Sequence, residues 1–160
     1  MSSMFPLQSG SNGAILLPPA VVVHGLADAL AALAPGLPVT LLSAPGAGGF
    51  AGAGWWRALV AQARGTHPHT PCHDVLDCGD APGHAMAAIR AGQTILVLSP
   101  TCPAFARVAT LATVLAVRPH ALDLADPRTV PRLRTWLSAG REDAPSGDAR
   151  SEDDSAPGLR

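Results

Sequence analysis

Short apolar runs alternate along this chain with longer stretches whose apolar residues recur every three or four positions, and this alternation constrains the fold more than any other feature. Strands separated by helices pair in parallel through right-handed crossovers, because a tight turn cannot carry the chain back across a helix. The runs fall at residues 14–17, ending at Pro18 and Pro19, at 39–42 between Pro38 and Pro45, at 74–76, at 94–98 and at 113–117. The helical patterns lie between them. Val22, Leu26, Ala29, Leu30 and Leu33 form a stripe closed by Pro35 and Gly36, and Trp55, Leu59 and Ala63 form another ending near Gly65. Asp80 reads as the cap of a helix with Pro82 in its first turn and Gly92 past its end. Thr101 reads as the cap of a short helix, with Pro103 in its first turn and Phe105, Val108 and Leu111 facing inward. A last helix over residues 129–139 has Val130, Leu133 and Leu137 as its inner stripe and Gly140 as its stop. Trp55 is expected to pack on the sheet.

These elements predict an α/β domain over residues 14–140. It should be a small, doubly wound, mostly parallel sheet of four or five strands, Rossmann-like or flavodoxin-like, with helices on both faces. Residues 1–13 read as a flexible leading segment. Residues 141–160 carry three Arg against six acidic residues among Ser, Gly, Ala and Pro, and read as a disordered acidic tail.

Composition then limits the chemistry. The 160 residues include no Lys and no Tyr, and both glutamates, Glu142 and Glu152, lie in the tail. A lysine phosphate loop, a lysine Schiff base, a Tyr/Lys proton relay and a glutamate base within the domain are thereby excluded. Residues 1–140 hold eight Arg against six Asp, too balanced for a nucleic-acid footprint. The uncharged stretches are broken by Pro and Gly and do not read as membrane spans. Three Cys without framework spacing suit a reducing cytoplasm.

In an open parallel sheet, ligands bind beyond the carboxyl ends of the strands, at the loops of residues 43–49, 78–80, 99–102 and 118–126. The first loop reads Ser43-Ala44-Pro45-Gly46-Ala47-Gly48-Gly49-Phe50-Ala51. Gly46, Gly48 and Ala51 match the G-x-G-x-x-[GA] spacing, and the motif resembles the Rossmann dinucleotide fingerprint, which implies a nucleotide or dinucleotide cofactor. Asp77 stands near the place of the ribose-binding acid. Ser43, Gly46, Gly48, Gly49, Asp77 and Thr101 are therefore the candidate ligand-binding residues, for a phosphorylated small molecule.

Two further groups compete for attention. His67, His69, Cys72, His73, Asp74, Asp77, Cys78, Asp80 and His84 crowd into one stretch with zinc-ligand chemistry. An intervening strand, however, holds its two halves about 20 Å apart, so no metal site is expected. Cys102 at a helix start would feel the dipole that favours a thiolate, with Cys78 and His84 as its candidate partners in catalysis or redox work. A solvated helix face accounts for Arg128, Arg132 and Arg134. The expected function is a small domain binding a phosphorylated ligand at the glycine-rich loop. The alternatives are a non-enzymatic scaffold or accessory subunit with a protein partner or a second copy of itself, and a cysteine-dependent enzyme using Cys102.

Overall fold

The computed structural model describes residues 15–140, so the expectations for residues 1–13 and for the acidic tail lie outside the described part. The chain runs through β1 (Ala20–Val23), α1 (Leu26–Leu33), β2 (Val39–Ser43), α2 (Ala47–Phe50), α3 (Ala53–Thr66), β3 (Cys72–Asp77) and α4 (Pro82–Arg90). It continues through β4 (Ile95–Val97), α5 (Phe105–Ala109), β5 (Thr113–Leu115), β6 (Ala121–Asp123), a 3-10 turn (Val130–Arg132) and α6 (Leu133–Ala139). All neighbouring strands are parallel, in the order β5-β4-β3-β2-β1-β6. The α/β class and the Rossmann- or flavodoxin-like parallel sheet therefore hold, with six strands in place of four or five.

The first strand lies at Ala20–Val23 and not at residues 14–17. Ala14 falls outside the described residues, and residues 15–17 carry no strand. Proline has no N–H for a ladder, so pairing starts beyond Pro18 and Pro19, where three consecutive Val favour extended backbone. The two proline carbonyls are still used: Pro19 O accepts from the Thr40 N–H at 3.0 Å and Pro18 O from the Thr40 hydroxyl at 2.8 Å. Val22 consequently belongs to the sheet, and the stripe of α1 begins at Leu26.

Both expected side-chain caps are absent. Ala81 and not Asp80 occupies the cap of α4, and α5 starts at Phe105, beyond Thr101 and Pro103. Prolines explain both shifts, since Pro82 and Pro103 suit a first turn or a preceding tight turn equally well. Leu111 is exposed, β5 stops at Leu115, and Val117 is 69% exposed because it has left the sheet. Val130 is also exposed, since the last helix opens as a 3-10 turn that rotates its stripe away from the core. Trp56, not Trp55, is the tryptophan fully buried under α3; Trp55 is 40% exposed.

Side chains alternate between two clusters. Val21, Val23, Leu41, Leu76, Leu96, Leu98, Val114 and Leu122 face the main core, which also receives the buried residues of α1, α3, α4, α5 and α6. Ala20, Leu42, Val75, Ile95, Val97 and Leu115 face the opposite side, with Leu17 and Ala121 against them and no described helix residue among them. Helices on both faces were expected; the described ones share one. Strand order gives the reason: β1 to β5 advance in a single direction, and right-handed crossovers in one direction place their helices on one face. The winding reverses once, at β6.

The passage from β5 to β6 then requires curvature. Six residue steps separate Leu115 from Ala121, a reach of about 20 Å. A flat sheet would hold these edge strands roughly 24 Å apart, at about 4.8 Å per spacing. The edges must therefore lie closer together than a flat sheet would hold them. Arg118, midway along residues 116–120, reaches Asp77 at the end of β3 and the Ser43 carbonyl at the end of β2.

Candidate functional site

The carboxyl ends of β2 and β3 hold the expected ligand residues, and the structure shows what each one touches. Ser43 is fully buried; its hydroxyl accepts from the Asp77 N–H at 2.9 Å and donates to the Ala44 carbonyl at 3.1 Å. The Asp77 side chain points to the helix-free side, sharing the parity of Val75. Its Oδ1 accepts from the N–H groups of Gly46 at 3.1 Å and Gly79 at 2.8 Å, and its Oδ2 accepts from Arg118 Nη1 at 2.7 Å. Arg118 Nη2 donates to the Ser43 carbonyl at 2.6 Å. A carboxylate in low-dielectric surroundings needs such donors, and here the chain supplies three. Gly46 and Gly79 adopt φ of +70° and +59°, a left-handed conformation that side chains resist and that turns both amides onto the same oxygen.

The glycines of the fingerprint serve close packing. A Cβ on Gly48 would stand 2.9 Å from Cys78 Sγ and 3.1 Å from the Asp77 carbonyl, so α2 rests directly on the end of β3. A Cβ on Gly49 would stand 3.0 Å from the His84 ring. The helix that follows is short, with four residues in α2, and Gly52 at φ +85° breaks it before α3 begins at Ala53. The Ala47 N–H donates to Ala44 at 3.1 Å and the Gly49 N–H to Gly46 at 2.9 Å. The amides of Gly46, Ala47 and Gly49 are therefore spent within the loop and on Asp77.

Thr101 is exposed, with its hydroxyl 2.8 Å from that of Ser99. Cys102 is buried in the turn before α5, several residues short of a helix start, so the dipole argument for its activation does not apply. Cys78 is also buried, and burial together with the neighbouring Asp77 charge pushes its thiol up to about 11, away from nucleophilic use. Burial likewise raises the Cys72 thiol, partly offset by Arg64. All three cysteines are free.

β3 divides the His/Cys-rich stretch but begins two residues before the expected run, so Cys72 and His73 lie within the strand, and Cys78, Asp80 and His84 lie beyond its far end. Among the described residues no three His, Cys, Asp or Glu side chains converge as metal ligands. Asp74 is instead a structural anchor on the helix face of β3. Arg64 Nη2 donates to its Oδ1 at 2.8 Å; Gln93 Nε2 at 2.9 Å and Trp56 Nε1 at 3.3 Å donate to its Oδ2.

Two features of the carboxyl edge escape sequence reading. Arg118 belongs to the 118–126 loop but carries no motif, and its place over Asp77 depends on the unforeseen β6. His24, at the end of β1, sets its Nε2 3.0 Å from Asp123 Oδ1 at the end of β6, and its N–H donates to Asp28 Oδ2 at 2.9 Å. This pair marks the point where strand order reverses. Its two residues stand 99 positions apart, with no local signal linking them. Comparisons with protein-family models, with curated proteins and with solved structures find no match for this chain. Among the described residues, no helix is long and apolar enough to cross a membrane.

Proposed function

We propose that this chain is a non-enzymatic α/β scaffold or accessory domain whose carboxyl edge is closed by its own hydrogen bonds. One observation carries the reading: the Asp77 carboxylate, the acid expected to meet a ribose, is 5% exposed and already accepts from Gly46, Gly79 and Arg118. A dinucleotide would have to replace these partners before gaining any contact, and net hydrogen-bond gains of about 1 kcal/mol each do not favour that exchange. The raised Cys78 thiol and the position of Cys102 weigh against cysteine catalysis in the same way. Phe50, 74% exposed, and Trp55 flank Gly52 beside the closed loop and supply apolar surface for a protein partner or a second copy. Free thiols at Cys72, Cys78 and Cys102 suit a reducing cytoplasm.

A second reading keeps a phosphorylated small molecule at this edge. It is favoured by the Arg118 guanidinium, whose side chain is 26% exposed over the turn at Gly46. A thermal-shift screen with inorganic phosphate and nucleotides at millimolar concentration separates the two. The scaffold reading expects no stabilisation. A rise of a few degrees that Arg118→Met abolishes replaces it with the ligand reading.

A further inference from the structure

Gln93 is 2% exposed and sits just before β4, beside the Asp74 anchor. Its amide orientation is unambiguous. Nε2 faces three oxygens: the Ile95 carbonyl at 2.8 Å, Asp74 Oδ2 at 2.9 Å and the Asp74 carbonyl at 3.2 Å. Exchanging the amide atoms would set an acceptor against three acceptors, so the nitrogen must stand there. Gln93 Oε1 is then fixed in the opposite direction, buried and without a hydrogen-bond donor among the described residues. Native proteins rarely leave a buried amide oxygen in that condition; where the chain provides no donor, an ordered water does.

Arg57 is a cation beside this amide, facing the carboxylate that the amide binds. Arg57 Nη1 stands 3.8 Å from Asp74 Oδ2, too far for a hydrogen bond, although the charges are opposite and the carboxylate is buried. At that distance Arg57 Nη1 keeps donor capacity that the carboxylate does not take up. Asp74 Oδ2 is shared by both observations, since it also binds the Gln93 amide.

We propose that an internal hydration site lies between Gln93 Oε1 and Arg57 at the amino end of β3 and β4, holding one water that accepts from Arg57 Nη1 and donates to Gln93 Oε1. Charge selects a neutral occupant. Asp74 faces Arg64 at 2.8 Å and Arg57 at 3.8 Å, so the cluster carries a surplus positive charge that repels a metal ion or an ammonium group. The Asp74 anchor beside it ties α3 to β3 through Trp56 and Arg64, and Arg64 also binds the Cys72 carbonyl.

A crystal structure of the full chain at about 1.5 Å provides the first test, with water relaxation dispersion in solution as the second. The expected density is a single water about 2.7–3.0 Å from Gln93 Oε1 and within reach of Arg57. In solution, one long-lived water is expected in the wild type and is expected to be lost in Gln93→Leu. If Gln93→Leu does not fold, the wild-type measurements decide alone. Dry surroundings at Oε1, a direct bond from Arg57 to Oε1, or no long-lived water in the wild type overturns the proposal.

Discussion

Replacing Asp77 by alanine removes the one group on which two strand ends, two turns and the β5–β6 connection converge. The Asp77 carboxylate accepts the amides of Gly46 and Gly79 and the guanidinium of Arg118, which also holds the Ser43 carbonyl. Hydrogen bonds to a charged group contribute about 1.5–3 kcal/mol each. Arg118 is partly exposed, so water recovers much of its share, and the two amides lie in loops that can relax. The loss in Asp77→Ala should accordingly be about 3 kcal/mol, and in Asp77→Asn, which keeps one acceptor oxygen, about 1–2 kcal/mol. For a domain of this size about 3 kcal/mol corresponds to a melting shift of roughly 10 °C. Urea unfolding followed by far-ultraviolet dichroism and tryptophan fluorescence measures the change, and a double-mutant cycle with Arg118→Met isolates the pair. The coupling should be about 1–2 kcal/mol. A loss below about 0.5 kcal/mol in Asp77→Ala, or strict additivity with Arg118→Met, would refute the view that this carboxylate ties the edge together.

Gly48→Ala should cost about 1–3 kcal/mol, because its Cβ would meet Cys78 Sγ at 2.9 Å; chemical denaturation of Gly48→Ala with and without Cys78→Ala should show partial recovery in the double variant. Trp56→Ala should lose about 3–5 kcal/mol by leaving a core cavity and removing one of the donors to Asp74, whereas Trp55→Ala on the same helix should stay within about 1 kcal/mol; equal losses in the unfolding curves would contradict the burial difference. The Cys78 thiol is raised to about 11, so the folded chain holds this proton more tightly than the unfolded one. Stability from this source is complete below the ordinary thiol range and declines as pH rises from about 9 through 11, a slope that Cys78→Ala should flatten in urea titrations across that window.

Local chemistry made several elements legible without any structure. Residues 39–42 and 94–98 read as strands because their apolar runs are bounded by proline, glycine or polar residues, and they became β2 and β4 within a residue or two. Leu59, Ala63, Leu133 and Leu137 read as inward positions by helical spacing alone and are buried. The class of fold followed from the alternation itself, since parallel pairing is the only economical way to join strands through helices. The positions of Gly46, Gly48 and Gly49 at a tight strand-to-helix turn were legible too, but their purpose was not. A glycine needed to approach a phosphate and one needed to approach Cys78 have the same signature in a sequence.

Tertiary structure decided the rest. The sixth strand, three residues long, is too short to show a period, and it exists because β1 offers a parallel edge for it. With it came the connection that carries Arg118 to Asp77, while the one-way order of β1 to β5 put the described helices on one face. Sequence determined which residues could form strands, helices and turns, because those preferences act within a few positions. Whether a polar side chain faces a ligand or another part of the chain depends on partners far along the sequence, such as Arg118 for Asp77 and Asp123 for His24, and those pairings appear only once the sheet has brought its strand ends together.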